Sequence, residues 1–293
     1  MMTFPSYPQR VRNELRFREI TVLSSQYVSG FQRIVFGGEA LAGFSSQGFD
    51  DHIKLFFPEP GQAFTPPEIT EAGIVWPGDA RPQSRDYTPL FDEQTQQLTL
   101  DFWVHDGGVA SAWAVAARPG DTLCIGGPRG SLVVPLDYQW QLYVCDESGL
   151  PALRRRLEAL QDAGVTATCR AIVSIRDEAC KGYLAHLPEA NIDWVSGHDA
   201  AALEQHLQAI AWPTEDYFVW ITGEGTRSIP SGCAPSPTGT PDRLHDATVS
   251  PPGLPFCYIH YILPTSALPP EGCGALWRGF SKGIFHDWCG VSG

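Results

Sequence analysis

The sequence predicts a β barrel followed by an α/β domain, with an irregular C-terminal tail. Three observations carry this prediction. Short alternating or apolar runs recur between Gly and Pro turns up to about residue 135, strands and amphipathic helices alternate from there to residue 225, and a Pro/Gly/Cys-rich stretch with no period follows. The 293 residues are long for one core and suit two domains. The expected units are therefore a barrel over 1–135, an α/β domain over 136–225 and a tail over 226–293.

The chain starts "MMTFPSYPQRVRNELRF", which has arginines but no apolar leader, and no later run is apolar enough to cross a bilayer. A cytoplasmic protein with no stable membrane insertion is expected. From Leu15 the runs "FREITVLSS", "FQRIVFGG", "HIKLFFP", "RDYTPLF", "LTLDFWVH" and "DTLCIGGP" read as strands of a small antiparallel barrel. Only "GGVASAWAVAA" has helical character there. After Pro135, "QLYVCDES", "VTATCRAIVS", "IDWVSG" and "DYFVWITG" read as strands, with "LPALRRRLEALQDAG" and "AAALEQHLQAI" as helices. That alternation predicts a parallel sheet with helices on both faces. The tail is too dense in proline to continue a helix or a central strand, and it is expected to be irregular or disordered, with a short ordered piece near "LWRGFSKGIF".

A formal charge of −13 argues against nucleic acid as a partner, because such binding rests on phosphate neutralisation. Any anionic ligand needs a local basic pocket. Eight cysteines are present without CxxC or Cys/His ligand spacing, so buried thiols in a reducing compartment are the expected reading.

In "QSRDYTPLF", Arg85 and Tyr87 fall on one face of a strand, about 7 Å apart by strand rise. A guanidinium and a phenol so placed can hold a diphosphate and stack a planar ring. Taken alone, the triplet Arg85, Tyr87, Thr88 fits an ordinary strand with a surface arginine and a packed tyrosine better. The second motif shifts the balance: "HDGGVASAWAVAA" runs from a Gly-rich turn into a small-residue helix, and a helix start with bare N–H groups is an anion site. Together the two look like one flavin dinucleotide site.

In order and spacing, "RDYTPLF", "LTLDFWVHDGGVASAWAVAARPGDTLCIGGPRGSL" and "YVCDESGLPALRRRLEAL" resemble the siderophore-interacting proteins, FAD-dependent ferric-siderophore reductases of the ferredoxin-reductase-like superfamily. "DDHIKLFFP" and "FVWITGEG" resemble two further motifs of that family, and the likeness spans roughly residues 11–225. The resemblance implies an FAD-binding barrel and a nicotinamide-nucleotide domain. It implies FAD contacts at Arg85, Tyr87 and Thr88, with the pyrophosphate near His105, Gly107, Gly108, Ala110, Ser111 and Trp113. Where the family commonly has Gly-Pro-Ala-Ser-Arg-Trp this chain has "GVASAW", so Val109 and Ala112 replace a rigid turn and one basic group. Lys54 and Arg129 are implied to face an anionic ferric siderophore. Without the family pattern, an edge-strand lysine and a turn arginine are the better reading of both.

"CDESGLPA" sits where a first strand meets a first helix, the usual nucleotide crevice. Asp146 and Glu147 stand where glycines would let a pyrophosphate approach, predicting loose contact with NAD(P)H. Both, with Glu224, match acidic positions of the family. The implied reaction carries electrons from NAD(P)H through FAD to Fe(III), with a ferredoxin-type donor as a substitute for the nicotinamide. A general NAD(P)H:flavin or quinone reductase is the alternative enzyme, and a non-catalytic flavin-binding module the alternative without turnover. Beyond Gly225 the family pattern stops, which predicts a frameshifted reading of an ancestral C-terminus or a lineage-specific tail.

Overall fold

The computed structural model describes residues 8–58, 64–71, 73–77, 81–165, 169–211, 213, 216–224 and 257–262, the last group and residue 224 by backbone alone. The first half contains β1 (Gln9–Arg12), β2 (Phe17–Val28), β3 (Phe31–Gly37), β4 (Ile53–Phe57), β5 (Glu68–Thr70), β6 (Gly73–Val75), β7 (Gln83–Tyr87), β8 (Leu90–Asp92) and β9 (Gln97–Trp103). Helix α1 (Val109–Ala116), β10 (Thr122–Gly126) and β11 (Gly130–Val133) complete it.

Among the described residues, seven of these strands form one antiparallel sheet in the order β7-β4-β10-β2-β3-β9-β8. Its two edges, β7 and β8, are joined by Thr88 and Pro89 alone. So short a link spans at most about 11 Å, so the sheet must curl until its edges nearly meet. Period-two alternation fills the curl. Ile20 and Val22 of β2, Ile34 and Phe36 of β3, and Leu98, Leu100 and Phe102 of β9 all point inward and are buried. Ala110 and Ala114 of α1 pack against the same core, which is why a helix of small residues belongs there.

The second half holds β12 (Trp140–Cys145), α2 (Leu150–Asp162), β13 (Cys169–Ile175), β14 (Ile192–Ser196), α3 (Ala200–Gln208), β15 (Tyr217–Glu224) and β16 (Cys257–Ile262). The order is β14-β13-β12-β15-β16, parallel except for β16. Tyr143, Val173, Phe218 and Trp220 face α2, through Leu153, Leu157 and Leu160. Leu142, Val144, Ile172 and Val219 face α3, through Leu203 and Leu207. One helix therefore covers each face, as the strand–helix alternation predicts. The tail contributes β16, which runs antiparallel beside β15 with Cys257 opposite Glu224. The rest of the tail, including "LWRGFSKGIF", lies outside the described residues.

The halves share a core. Phe49 stands edge-on to Tyr143, Phe218 and Trp220 at 5.4–6.4 Å between ring centroids. Tyr183 donates to Asp101 at 2.5 Å, and Arg33 grips the same carboxylate through bonds of 2.7 and 2.8 Å. The β2–β3 turn approaches so closely that a Cβ on Gly30, at φ +87°, would lie 2.6 Å from the Cys180 sulfur. Beside this junction, burial and the neighbouring Asp51 push the carboxyl of Asp50 up to about 7. The cysteines whose side chains are described, Cys124, Cys145, Cys169 and Cys180, are buried thiols outside any disulfide.

Candidate flavin and nucleotide site

Register fixes the faces of β7. Arg85 lies opposite Leu55 and Tyr87 opposite Ile53, both wholly buried, so Arg85 and Tyr87 turn toward the inside of the curl. Asp86 turns the other way, opposite Lys54, and their side chains form an ion pair of 2.8 Å. Arg85 is half-buried, donates to the Ser84 carbonyl at 2.8 Å and has no ion pair among the described residues. The Tyr87 ring packs on Phe102 at 4.4 Å between centroids. Thr88, half-buried, lies in the two-residue gap between the sheet edges.

The Gly-rich turn follows β9. Gly107 has φ +77°, a conformation few side chains tolerate. A Cβ on Gly108 would come within 2.7 Å of the His105 ring. Gly108 is the N-cap of α1 and offers no side-chain acceptor, so the first N–H groups of the helix are left uncapped. Ser111 is taken up locally: it accepts from the His105 N–H at 3.2 Å and donates to the Trp103 carbonyl at 3.2 Å. It pins the turn and points inward. His105 is exposed and lies 5.2 Å from the Trp103 ring centroid. Trp113 stacks on Phe36 at 6.2 Å and reaches Phe102 at 6.0 Å, while Ala110 is buried beneath it. Phe102, wholly buried, thus touches both Tyr87 and Trp113, so the two motifs pack against one core residue.

The donor set there suits FAD. A guanidinium with no ion pair among the described residues and an uncapped helix start can meet a pyrophosphate, and glycines leave the approach open. The helix begins at Val109, directly after the Gly108 N-cap.

Arg129 follows the Gly127–Pro128 turn after β10, is half-buried and has no ion pair among the described residues. Lys54 pairs in register with Gly126 of the same strand, yet its ammonium is held by Asp86. The two cations are therefore unequal: Arg129 is available, and Lys54 is partly neutralised.

In the second half, strand order reverses between β12 and β15, the position where α/β sheets open a crevice. Asp146 and Glu147 follow β12 directly, and Glu224 ends β15. Asp146 accepts from the Ser148 N–H at 2.9 Å and from its hydroxyl at 2.5 Å. Glu147 is 1% exposed, accepts from the Arg176 N–H and lies 3.0 Å from Nε2 of His198, without hydrogen-bond alignment to that nitrogen. Burial raises the Glu147 pKa, opposed by the Arg176 N–H and by His198. Nδ1 of His198 is in turn 3.3 Å from the Ser174 hydroxyl. The loop acids thus turn into the protein, so they present less negative charge to a phosphate than their order in the chain suggests. The Glu224 side chain lies outside the described residues.

Sequence reasoning missed Ser174, Arg176 and His198, which surround Glu147. A signal was available: "VSIRDE" and "VSGHD" end parallel strands, and such ends line the crevice. Arg176 also reaches across to the flavin side, its guanidinium 5.5 Å from the Trp103 ring centroid.

Comparison with known proteins agrees with this architecture. The siderophore-interacting FAD-binding domain matches residues 21–132, and the siderophore-interacting protein model matches residues 138–229. An NADPH-dependent ferric-chelate reductase of Escherichia coli (strain K12) is 62% identical over 226 residues, 77% of this chain and 89% of that protein. Among solved structures, a siderophore utilization protein from T. fusca superposes with a TM-score of 0.64 at 30% identity, covering 73% of this chain and 84% of the other. The siderophore-interacting protein SipS from Aeromonas hydrophila has a TM-score of 0.55 at 26% identity, covering 72% and 81%. The curled sheet with its Arg-x-Tyr edge, the Gly-rich helix start and the parallel sheet behind them are those of a known lineage: the chain belongs to the siderophore-interacting protein family.

Proposed function

We infer that the protein is an FAD-dependent ferric-chelate reductase that takes its electrons from NADPH. The observation that carries this is the meeting, on Phe102, of Tyr87 from the strand that carries Arg85 with Trp113 from α1, whose start at Gly108 has no side-chain cap. The 62% identical ferric-chelate reductase supports the same reading.

In this reading Arg85 and the N–H groups after Gly108 hold the pyrophosphate of FAD, Tyr87 supplies a ring face and Thr88 a hydroxyl for the flavin edge. When bound, FAD supplies the conversion from two-electron to one-electron transfer. Ser111 and Trp113 hold the helix start in place from the inside. The crevice beyond β12 and β15 receives the nicotinamide nucleotide, where Asp146 and Glu147 shape the loop. Glu224 is assigned to the same crevice by its position at the end of β15. Arg129, with Lys54 behind it, attracts the anionic ferric siderophore. Hard oxygen donors hold Fe(III) far more firmly than Fe(II), so reduction loosens the metal from its ligand.

A cytoplasmic location follows from this reading, since the donor is an intracellular nucleotide and the buried thiols suit a reducing compartment. Among the described residues no helix is long and apolar enough to cross a membrane. A ferredoxin-type donor would enter by the same flavin edge.

The test is the absorbance spectrum of the purified protein during anaerobic mixing. Bleaching by NADPH and recovery on adding a ferric chelate, with ferrous ion trapped by a coloured chelator, is the expected result. A bound flavin that neither NADPH nor NADH bleaches would sink the direct reductase reading and leave a flavin-binding module.

A further inference from the structure

The inward-facing row of β2 ends in a charge. Ile20 and Val22 fill the barrel, and Arg18, next in the row, is only 5% exposed. Its guanidinium carbon lies 5.5 Å from the Phe44 ring centroid, and one terminal nitrogen donates to the Gly127 carbonyl at 3.3 Å. Its Nε is buried and has no hydrogen-bond partner among the described residues. Glu14, the acid whose charge reaches it, is already paired with Arg16 at 2.6 Å. Burial and the nearby Arg16 therefore lower the pKa of Arg18. A buried guanidinium without a counter-ion is costly, and an anion would relieve that cost.

Space for one exists. Arg18 lines a cavity of about 260 Å³, whose wall also carries Arg12, Asn13, Glu14 and the Gly127–Pro128 turn. Arg12 is exposed and has no ion pair among the described residues. Register locates the cavity relative to the flavin clamp: Arg18 faces Ile125, Ile125 faces Leu55, and Leu55 faces Arg85. The two arginines share one face, three strand spacings or roughly 14 Å apart along the sheet. Arg18 thus lies well away from the Arg85 contact and beside the turn that leads to Arg129.

We propose that this cavity is an oxyanion subsite in which Arg18 and Arg12 take one carboxylate or phenolate group of the ferric chelate's ligand. The proposal rests on the ferric-chelate reading. Since roughly 150 Å³ of apolar cavity holds benzene, this one admits a single hydroxybenzoate-sized acid and excludes a whole tris-ligand complex. Lys54 is held by Asp86, so the chelate's negative charge needs cations besides Arg129. Arg12 and Arg18 supply them.

The experiment titrates the FAD-loaded protein calorimetrically with 2,3-dihydroxybenzoate and with its gallium(III) tris complex, which binds like the ferric complex but is not reduced. Exposed Arg12→Gln is expected to weaken both by about tenfold, the effect of one charge-assisted hydrogen bond. Arg18→Lys keeps the charge without the fork and is expected to weaken both by a smaller factor. The surface control Arg118→Gln leaves both unchanged. In turnover, Arg12→Gln lowers selectivity for the anionic ferric complex over neutral ferric acetohydroxamate by about tenfold, through KM. Equal affinity of wild type and Arg12→Gln for both probes overturns the proposal. So does a loss confined to the free acid, which would make the cavity a site for released ligand. Wild-type protein that reduces neither ferric complex defeats the reductase reading instead, while the gallium titration still decides the subsite.

Discussion

At the flavin edge the charged side chains are left open to solvent and ligand: Arg85 bonds to the carbonyl of its own neighbour, and Arg129 has no ion pair among the described residues. At the nucleotide crevice the acids are held inside the protein, Asp146 by Ser148 and Glu147 by the Arg176 N–H and His198. Both ends would meet a phosphate, and both arrangements favour one. The first provides positive charge, and the second withdraws negative charge by giving each carboxylate an internal donor. Burial without such donors would be prohibitive, so the acidic loop is as much a folding element as a ligand surface.

Glu147→Ala is expected to have the largest effect. It strips the Arg176 N–H of its acceptor in a site that is 1% exposed, at a cost of about 3 kcal/mol in stability. Chemical denaturation reads this as a lower midpoint, with FAD content unchanged. A midpoint equal to wild type would break the comparison, because Glu147 would then be a free ligand-facing acid.

Arg85→Ala comes next and reverses the pattern. Loss of a charge-assisted contact to a phosphate costs about 2 kcal/mol of FAD affinity, a factor of about thirty. Fluorescence titration of flavin-stripped protein measures it, while the melting temperature of the stripped variant should match that of stripped wild type. A large drop in that temperature would show Arg85 to be structural.

Lys54 is the intermediate case. Its bond to Asp86 is half-exposed, with side-chain exposures of 19% and 36%, so a double-mutant cycle with Lys54→Met and Asp86→Asn should give less than about 1 kcal/mol of coupling. Asp86→Asn alone should lower KM for an anionic ferric chelate by about twofold, since it frees the ammonium. An unchanged KM would remove Lys54 from the substrate mouth.

Much of this was legible along the chain. Alternation in "FREITVLSS" gives the inward row of β2, and Gly107 and Gly108 mark the turn before α1 because few other residues fit it. The matching faces of Arg85 and Tyr87 follow from period two alone. Ser111 was legible as polar at a helix start, but its hydroxyl turns back to Trp103, which only the folded turn reveals. Arg18 looks like any strand arginine until Phe44 and the Gly127 carbonyl close over it. The strand β16 arises in a stretch without local periodicity because β15 offers it an edge to pair with.

The sequence by itself determined the two halves, their strand and helix periods and the flavin motifs, since these depend on neighbours a few residues apart. Tertiary structure alone decided which charges are available. Lys54 is neutralised by a residue on the adjacent strand, Glu147 is enclosed by loops from two other strands, and Arg18 is isolated by burial. Charge is written in the chain, but its compensation depends on partners distant in sequence that folding brings within a few ångströms.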